Sequence, residues 1–236
     1  MYSGYPTNDD WKRLEKGFPV TEYHLDESKF KIDGNDLDDL RRRSDLQEWF
    51  IHIYNRFAQV RRSYILLTFY VEKRIPDDEW WISPGRKGES VQYFPHFENS
   101  HCIIKADFDY YADVFYYMIF TCWENIGHLL NVYFDLRISK PSFWKAMNAM
   151  KRVNYSLYSA LSSIYFDGVF QKAKELRNNI AHNHSPNSIS GSISKTSPQQ
   201  ITIGVGSYVP SREICDNAVG ILHLLDRTFV TVSQFA

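Results

Sequence analysis

The sequence predicts an all-α fold: an antiparallel bundle of four or more helices with irregular insertions and one short hairpin. Three observations carry this. Leu46, Trp49, Phe50, Ile53, Phe57, Val60, Tyr64, Leu67 and Val71 recur at steps of three and four, which lines one face of a long helix. The run FDYYADVFYYMIFTCWENIGHLLNVYF is apolar nearly all round and holds no Lys or Arg, as a buried central helix would. The chain is 44 % hydrophobic and 16 % aromatic against 23 % charged, enough apolar surface for a sizeable core. Global disorder is thereby excluded.

The elements follow in order. Residues 1–35 are polar and punctuated by Gly4, Pro6, Gly17, Pro19 and Gly34, with no clean period. They read as an N-terminal arm that Trp11, Phe18, Tyr23 and Phe30 anchor on a helical domain spanning 36–236. The first long helix carries Asp36, Asp38 and Asp39 at its positive end and Lys73 and Arg74 at its negative end. Ile75-Pro76 stops it. The stretch 76–106 has three prolines and two glycines, so it is an irregular insertion with room for one hairpin. The central helix is placed at about Asp107 to Asp135. Ser139-Lys140-Pro141-Ser142 marks a fresh N-terminus for FWKAMNAMKRV. Asn154 to Phe166 forms a further helix, and Asp167 or Gly168 opens another that runs to about Ala181. Val169, Ala173, Leu176 and Ile180 give that one its apolar stripe. Residues 183–210 read as a flexible, Ser-rich loop in which ITIGVGSYV is a short strand or extended segment. Ser211 caps a final helix lined by Ile214, Ala218, Ile221, Leu225 and Phe229 or Val230.

Charge and cysteine usage narrow the function classes. Lys+Arg 27 against Asp+Glu 28 gives a net charge of −1, so any nucleic-acid contact must be local. Cys102, Cys122 and Cys215 stand far apart with no CxxC, which fits neither a disulfide framework nor a zinc site. The opening MYSGYPTNDDWKRLEKG lacks a signal peptide's apolar core, and no charge-free apolar run reaches membrane-spanning length. The expectation is a cytoplasmic protein with no membrane partner.

The most informative stretch is Glu175-Leu176-Arg177-Asn178-Asn179-Ile180-Ala181-His182-Asn183-His184. Arg177 and His182 form an Arg-x4-His pair at the end of a helix, with Asn directly after the Arg and Ala directly before the His. With Leu176 and Ile180 facing the core, Asn178 and His182 share the opposite side four residues apart, and Arg177 lies between the faces. Core packing does not require Asn, His and Arg there. A competing role is local: cationic side chains at a helix C-terminus commonly bind the last carbonyls.

RNNIAH near the end of a late helix in an all-α bundle resembles the HEPN superfamily (higher eukaryotes and prokaryotes nucleotide-binding). Its hallmark is Arg, a polar follower, then His four to six residues past the Arg. The resemblance places these on Arg177, Asn178 and His182, and His184 satisfies the longest spacing. It covers the motif and the helices of about 36–235, but neither the arm nor the 76–106 insertion. It implies a metal-independent endoribonuclease with no cofactor, RNA as substrate, and a homodimer whose two motifs share one cleft. By analogy it also implies a toxin or antiviral defence setting, with an antitoxin or regulatory protein as a further partner. The residue types suit that chemistry: an imidazole can take the proton of a ribose 2′-hydroxyl as that oxygen attacks the adjacent phosphate. A guanidinium can hold the phosphate oxygens and offset the charge that develops, and Asn178 can orient the imidazole or bind the phosphate. The alternative is a non-catalytic HEPN nucleotide- or protein-binding module, or a helical scaffold.

Other candidates stand behind these. Glu124, His128 and Asn131 make a polar seam on the central helix, extended upstream by Asp113 and Tyr117. HEPN proteins often bring an acidic or polar side chain from an earlier helix to the motif, which singles out Glu124; a buried polar network is the plainer account. Arg41-Arg42-Arg43, Arg56, Arg61 and Arg62 make the first helix locally basic, usually a solvated face and otherwise an RNA-steering one. Arg86-Lys87 lies in a Gly-flanked loop that is no P-loop. His52 and His223 read as core or interface residues. Trp80-Trp81, Tyr110-Tyr111 and Tyr116-Tyr117 read as packing rather than base-stacking platforms.

Overall fold

The computed structural model describes residues 4–84, 90–182, 185–187, 192–204 and 208–236, most strand residues by backbone alone. Seven helices are present among them: α1 (Asn8–Lys16), α2 (Leu37–Val71), α3 (Asn99–Tyr133), α4 (Phe143–Val153), α5 (Tyr155–Tyr165), α6 (Gly168–His182) and α7 (Ser211–Gln234). Four short strands accompany them: β1 (Trp81–Pro84), β2 (Ser90–Tyr93), β3 (Ser192–Ser197) and β4 (Gln200–Gly204). The fold is an all-α bundle carrying one small sheet.

Helices α2 and α3, 35 residues each, form an antiparallel hairpin about 50 Å long that is the spine of the bundle. Contacts step in opposite directions along it: Arg42 meets the carbonyls of Val132 and Tyr133, Tyr64 meets Phe115, and Tyr70 stacks on Tyr111. The α2 stripe anticipated from sequence is buried at Leu46, Phe50, Ile53, Phe57, Val60, Tyr64 and Leu67. Each such side chain contributes about 1.5–3 kcal/mol on leaving water. Helix α2 starts where Asp36 accepts a hydrogen bond from the Asp39 N–H at 2.8 Å.

Helix α3 begins eight residues earlier than Asp107. Its start is fixed by His101, whose Nδ1 accepts from the Glu98 backbone N–H at 3.0 Å. The added turns contain Lys105, a buried lysine whose ammonium is met by Asp109 and by the backbone carbonyl of Asn187. Helix α7 lies parallel to α3: Tyr116 donates to the Ile214 carbonyl, Trp123 to Thr228, and Tyr133 to the Ala236 carbonyl. Ser211 is the first residue of α7 rather than its cap. Buried Asp77 does the capping, accepting from the Ser211 N–H at 3.0 Å and the Ser211 hydroxyl at 2.6 Å, and from the Tyr208 hydroxyl.

The N-terminal segment includes helix α1, capped by Thr7 and tied to α2 through a bidentate Arg13–Glu72 pair. Leu14, Phe18, Val20, Leu25 and Phe30 join the same hydrophobic core as the long helices. Two hairpins form instead of one, and they join. The 76–106 insertion gives antiparallel β1–β2, where the sequence predicts the hairpin; 183–210, read from sequence as a flexible loop with a strand or extended segment at ITIGVGSYV, gives antiparallel β3–β4, with β4 on that segment. Parallel pairing of β2 with β4 (Ser90 with Thr202, Val91 with Ile203) makes one sheet of order β1-β2-β4-β3. The loop leaving the motif helix is thus tied to the loop entering α3. No helix among the described residues is long and apolar enough to cross a membrane.

Candidate functional site

The motif helix α6 lies across α3, with Phe170 edge-on to Trp123 at 4.9 Å and to Phe120 at 5.4 Å. Ala173 and Leu176 are buried, and Val169 and Ile180 pack against the core at its edge. That stripe turns Lys174, Arg177 and Asn178 to one side, where α3, α4 and the end of α5 leave a cavity of ≈ 180 Å³. Phe120, Trp123 and Glu124 of α3 line it from below, and Phe143 and Trp144 of α4 with Tyr165 form its aromatic side.

Arg177 is half-buried at this cavity. Its Nη1 donates to Asn178 Oδ1 at 3.0 Å and its guanidinium carbon lies 5.8 Å from the Phe120 ring centre. Its Nε is buried, and among the described residues it finds no hydrogen-bond partner and the guanidinium no paired carboxylate. A buried N–H left without an acceptor is costly, and the guanidinium charge that lines the cavity is of the kind that holds an oxygen anion. Lys174 donates to the Tyr165 hydroxyl at 2.8 Å, bringing a second cation to the cavity. Glu124 supplies the one carboxylate of the lining, and its Oε2 accepts from the Phe143 N–H at 3.3 Å. This contact requires α4 to approach α3 closely, and Gly127, one turn on from Glu124, allows it. A Cβ there would lie 2.5 Å from Phe143 N.

The structure therefore brings Arg177, Asn178 and Glu124 together and leaves His182 apart. His182 is exposed as the last residue of α6 and is not in the lining of this cavity. It sits about 7.5 Å farther along the helix than Arg177 and about 140° round it. His184 lies outside the described residues, as do Arg86 and Lys87. Among the described residues no group of His, Cys, Asp and Glu is arranged to hold a metal ion.

The polar seam on α3 is not one network. Glu124 turns to α4, Asn131 accepts from the Ile138 N–H at 2.9 Å, and His128 stacks on Trp49 with ring centres 4.1 Å apart. Burial lowers the pKa of that imidazole. Upstream, Asp113 keeps one buried oxygen without a partner, and burial pushes its pKa up to about 6. Tyr117 is exposed.

The arginines of α2 serve as clamps. Arg41 pairs with Asp38, Arg42 binds the last carbonyls of α3, Arg43 the carbonyls of Ile32 and Gly34, and Arg61 pairs with Glu15. Arg56 donates to Gln59 and Arg62 to the Tyr5 hydroxyl. His52 and His223 are exposed rather than core residues, because each falls on the solvent side of its helix. Tyr116 is fully buried and Tyr111 stacks on Tyr70, while Trp80, Trp81, Tyr110 and Tyr117 are exposed, so packing accounts for only part of these aromatic pairs.

Sequence reasoning missed Lys174, Trp144 and Tyr165. Lys174 had a readable signal, since it lies three and four residues before Arg177 and Asn178 and so shares their face. Trp144 and Tyr165 had none, because tertiary packing alone brings α4 and the end of α5 to the motif. No curated protein and no solved structure matches the chain. A family model described as Cthe2314-like HEPN matches residues 49–229, from the middle of α2 through α7 and across every lining residue of the Arg177 cavity. By that match, over more than half its length, the chain belongs to the Cthe2314-like HEPN family.

Proposed function

We propose that the protein is a metal-independent endoribonuclease of HEPN type. The observation that carries this is the half-buried guanidinium of Arg177 lining the cavity, a charge that no carboxylate among the described residues pairs with. A phosphodiester oxygen is the acceptor that site fits. In the reaction, the ribose 2′-oxygen attacks the neighbouring phosphorus and gives its proton to the His182 imidazole. The bond to the 5′-oxygen breaks as that oxygen takes a proton from the imidazolium, directly or through water, leaving a 2′,3′-cyclic phosphate and a 5′-hydroxyl, while Arg177 and Lys174 offset the charge on the phosphorane. His182 stands off the cavity in one protomer, so catalysis requires a homodimer in which the imidazole comes from the second copy. DNA lacks the 2′-hydroxyl and is not cut. A toxin or antiviral defence setting, with an antitoxin or regulatory protein as partner, follows from family resemblance alone.

The exposed position of His182 favours a second reading, a HEPN module that binds nucleotides without cutting. Digestion of a mixed RNA pool in EDTA decides between them. Cutting that falls about 10²-fold or more in both Arg177→Ala and His182→Ala supports the ribonuclease. The exposed His182 should change stability by less than about 0.5 kcal/mol when replaced, so its melting temperature separates a chemical loss from a structural one. RNA bound but left intact by the wild-type protein refutes cleavage.

A further inference from the structure

We propose that the cavity beside Arg177 is a nucleobase pocket that selects guanine, which names the substrate feature read by the site proposed above and rests on that reading. At ≈ 180 Å³ the cavity is smaller than the 300 Å³ and more typical of drug-sized ligands, and suits a single base. Its chemistry divides into a flat side and a polar side. Trp144 and Tyr165 lie with ring centres 4.7 Å apart at 36°, already in contact, so a base cannot slide between them. Trp144 is nonetheless 42 % exposed, which leaves an indole face at the mouth on which a base can stack.

The polar side sets the choice of base. Glu124 brings the only carboxylate of the lining, and a carboxylate accepts hydrogen bonds without donating. Guanine presents N1–H and the N2 amino group side by side, two donors that a carboxylate takes together. Adenine and cytosine each present one donor beside a ring acceptor, and uracil places its single donor between two carbonyls. Those acceptors would face the carboxylate lone pairs. Guanine O6 in turn accepts from a donor, and Asn178, whose Oδ1 is taken by Arg177 but whose amide nitrogen still donates, lines the same cavity. The Phe143 N–H holds Glu124 Oε2 at 3.3 Å, which limits how far the carboxylate can swing. With Arg177 lining the same pocket, the bound base would place its own 3′-phosphate against the guanidinium. The enzyme would therefore cut on the 3′ side of guanosine.

The test is calorimetric titration of the intact protein with the 3′-monophosphates of guanosine, adenosine, cytidine and uridine, and with inorganic phosphate. Guanosine 3′-monophosphate should bind at least about tenfold more tightly than the other three and than phosphate. Glu124→Gln should remove that preference, since an amide offers at most one acceptor where two donors arrive. Trp144→Ala should weaken guanosine 3′-monophosphate by about 5- to 150-fold. Far-ultraviolet circular dichroism and thermal melts check that both variants keep the wild-type fold, and the wild-type comparison stands without them. Equal affinity for the four nucleotides, binding no tighter than phosphate, or no binding at all overturns the pocket. Sequencing of the cut ends separates the two proposals. RNA cut in EDTA without preference for guanosine leaves the ribonuclease and removes the pocket, whereas guanine-selective binding without cutting does the reverse.

Discussion

Replacing Gly127 with Ala sets helix propensity against packing. In the interior of α3, Gly→Ala should stabilise the helix by about 0.5–1 kcal/mol. The added Cβ would lie 2.5 Å from Phe143 N, 2.5 Å from Ser142 C and 2.8 Å from Phe143 Cα. All three are backbone atoms, so no rotamer change relieves them, and α4 must retreat by roughly 1 Å to reach ordinary contact. That movement stretches the Phe143–Glu124 hydrogen bond, already 3.3 Å, beyond hydrogen-bonding range. Overpacking costs about 1–3 kcal/mol and the lost bond about 1. Against the propensity gain, the net loss is about 1–3 kcal/mol. For a chain of this size that lowers Tm by roughly 2–12 °C. Gly168 is the control, since an added Cβ there meets nothing within 4 Å. Gly168→Ala should leave Tm unchanged or raise it slightly. Thermal melts followed by far-ultraviolet circular dichroism measure both. A Gly127→Ala protein that melts at or above the wild-type temperature would refute the close approach that seats α4 and, with it, one aromatic side of the cavity.

Two further expectations concern buried and half-buried carboxylates. Asp77→Ala should destabilise the protein by about 3 kcal/mol or more, read as a lower urea midpoint, because it leaves the Tyr208 hydroxyl and both Ser211 donors without their acceptor. Asp77→Asn, which keeps one acceptor oxygen, should lose less. Burial pushes Asp109 and Asp113 each up to about 6, above the ordinary carboxylate value. Such a group favours the folded state most below its unfolded pKa, near 3.9, and that contribution is lost as pH rises through about 6. Asp113→Asn should therefore flatten the pH dependence of Tm between pH 4 and 7. Because Asp113 is partly solvent-screened, the gain at pH 7 should be no more than about 1 kcal/mol. A variant whose profile parallels that of the wild type would remove Asp113 from this account.

The helices were legible because each carries its period and a local stop. Asp36, Ser142 and Asn154 all cap the helices they precede, and all are residue types that cap by a side-chain oxygen. The early start of α3 was not legible, since an imidazole reaching back to Glu98 is no common cap and Lys105 looks like a surface residue until Asn187 arrives from 82 positions away. A hairpin in 76–106 and a strand at ITIGVGSYV were legible, but their joining into one sheet was hidden for the same reason: Ser90 and Thr202 pair across the whole central bundle. Within the site, Arg177, Asn178 and Glu124 could be named from a motif and a polar seam. Their meeting in one cavity depends on how α4 and α6 sit on α3, which no local pattern encodes.

An unsatisfied arginine nitrogen is not by itself a binding site, and the chain contains its own comparison. Arg61 also has a buried Nε without a partner, and its guanidinium lies 5.5 Å from the Phe18 ring centre much as that of Arg177 lies over Phe120. Arg61, however, discharges its electrostatic demand on Glu15, 2.9 Å away at the protein surface. Arg177 has a neutral amide in that role, although Glu124 lines the same cavity and could in principle have paired with it. Instead Glu124 holds the N-terminus of α4, where a carboxylate is favoured by the backbone N–H groups. The two charges share a cavity without neutralising each other, an arrangement that costs stability in the empty protein. A ligand that is anionic at one end and rich in hydrogen-bond donors at the other satisfies both groups at once. Inorganic phosphate can answer only the first, so a protein that holds phosphate and nucleotide equally would show that Glu124 serves α4 alone.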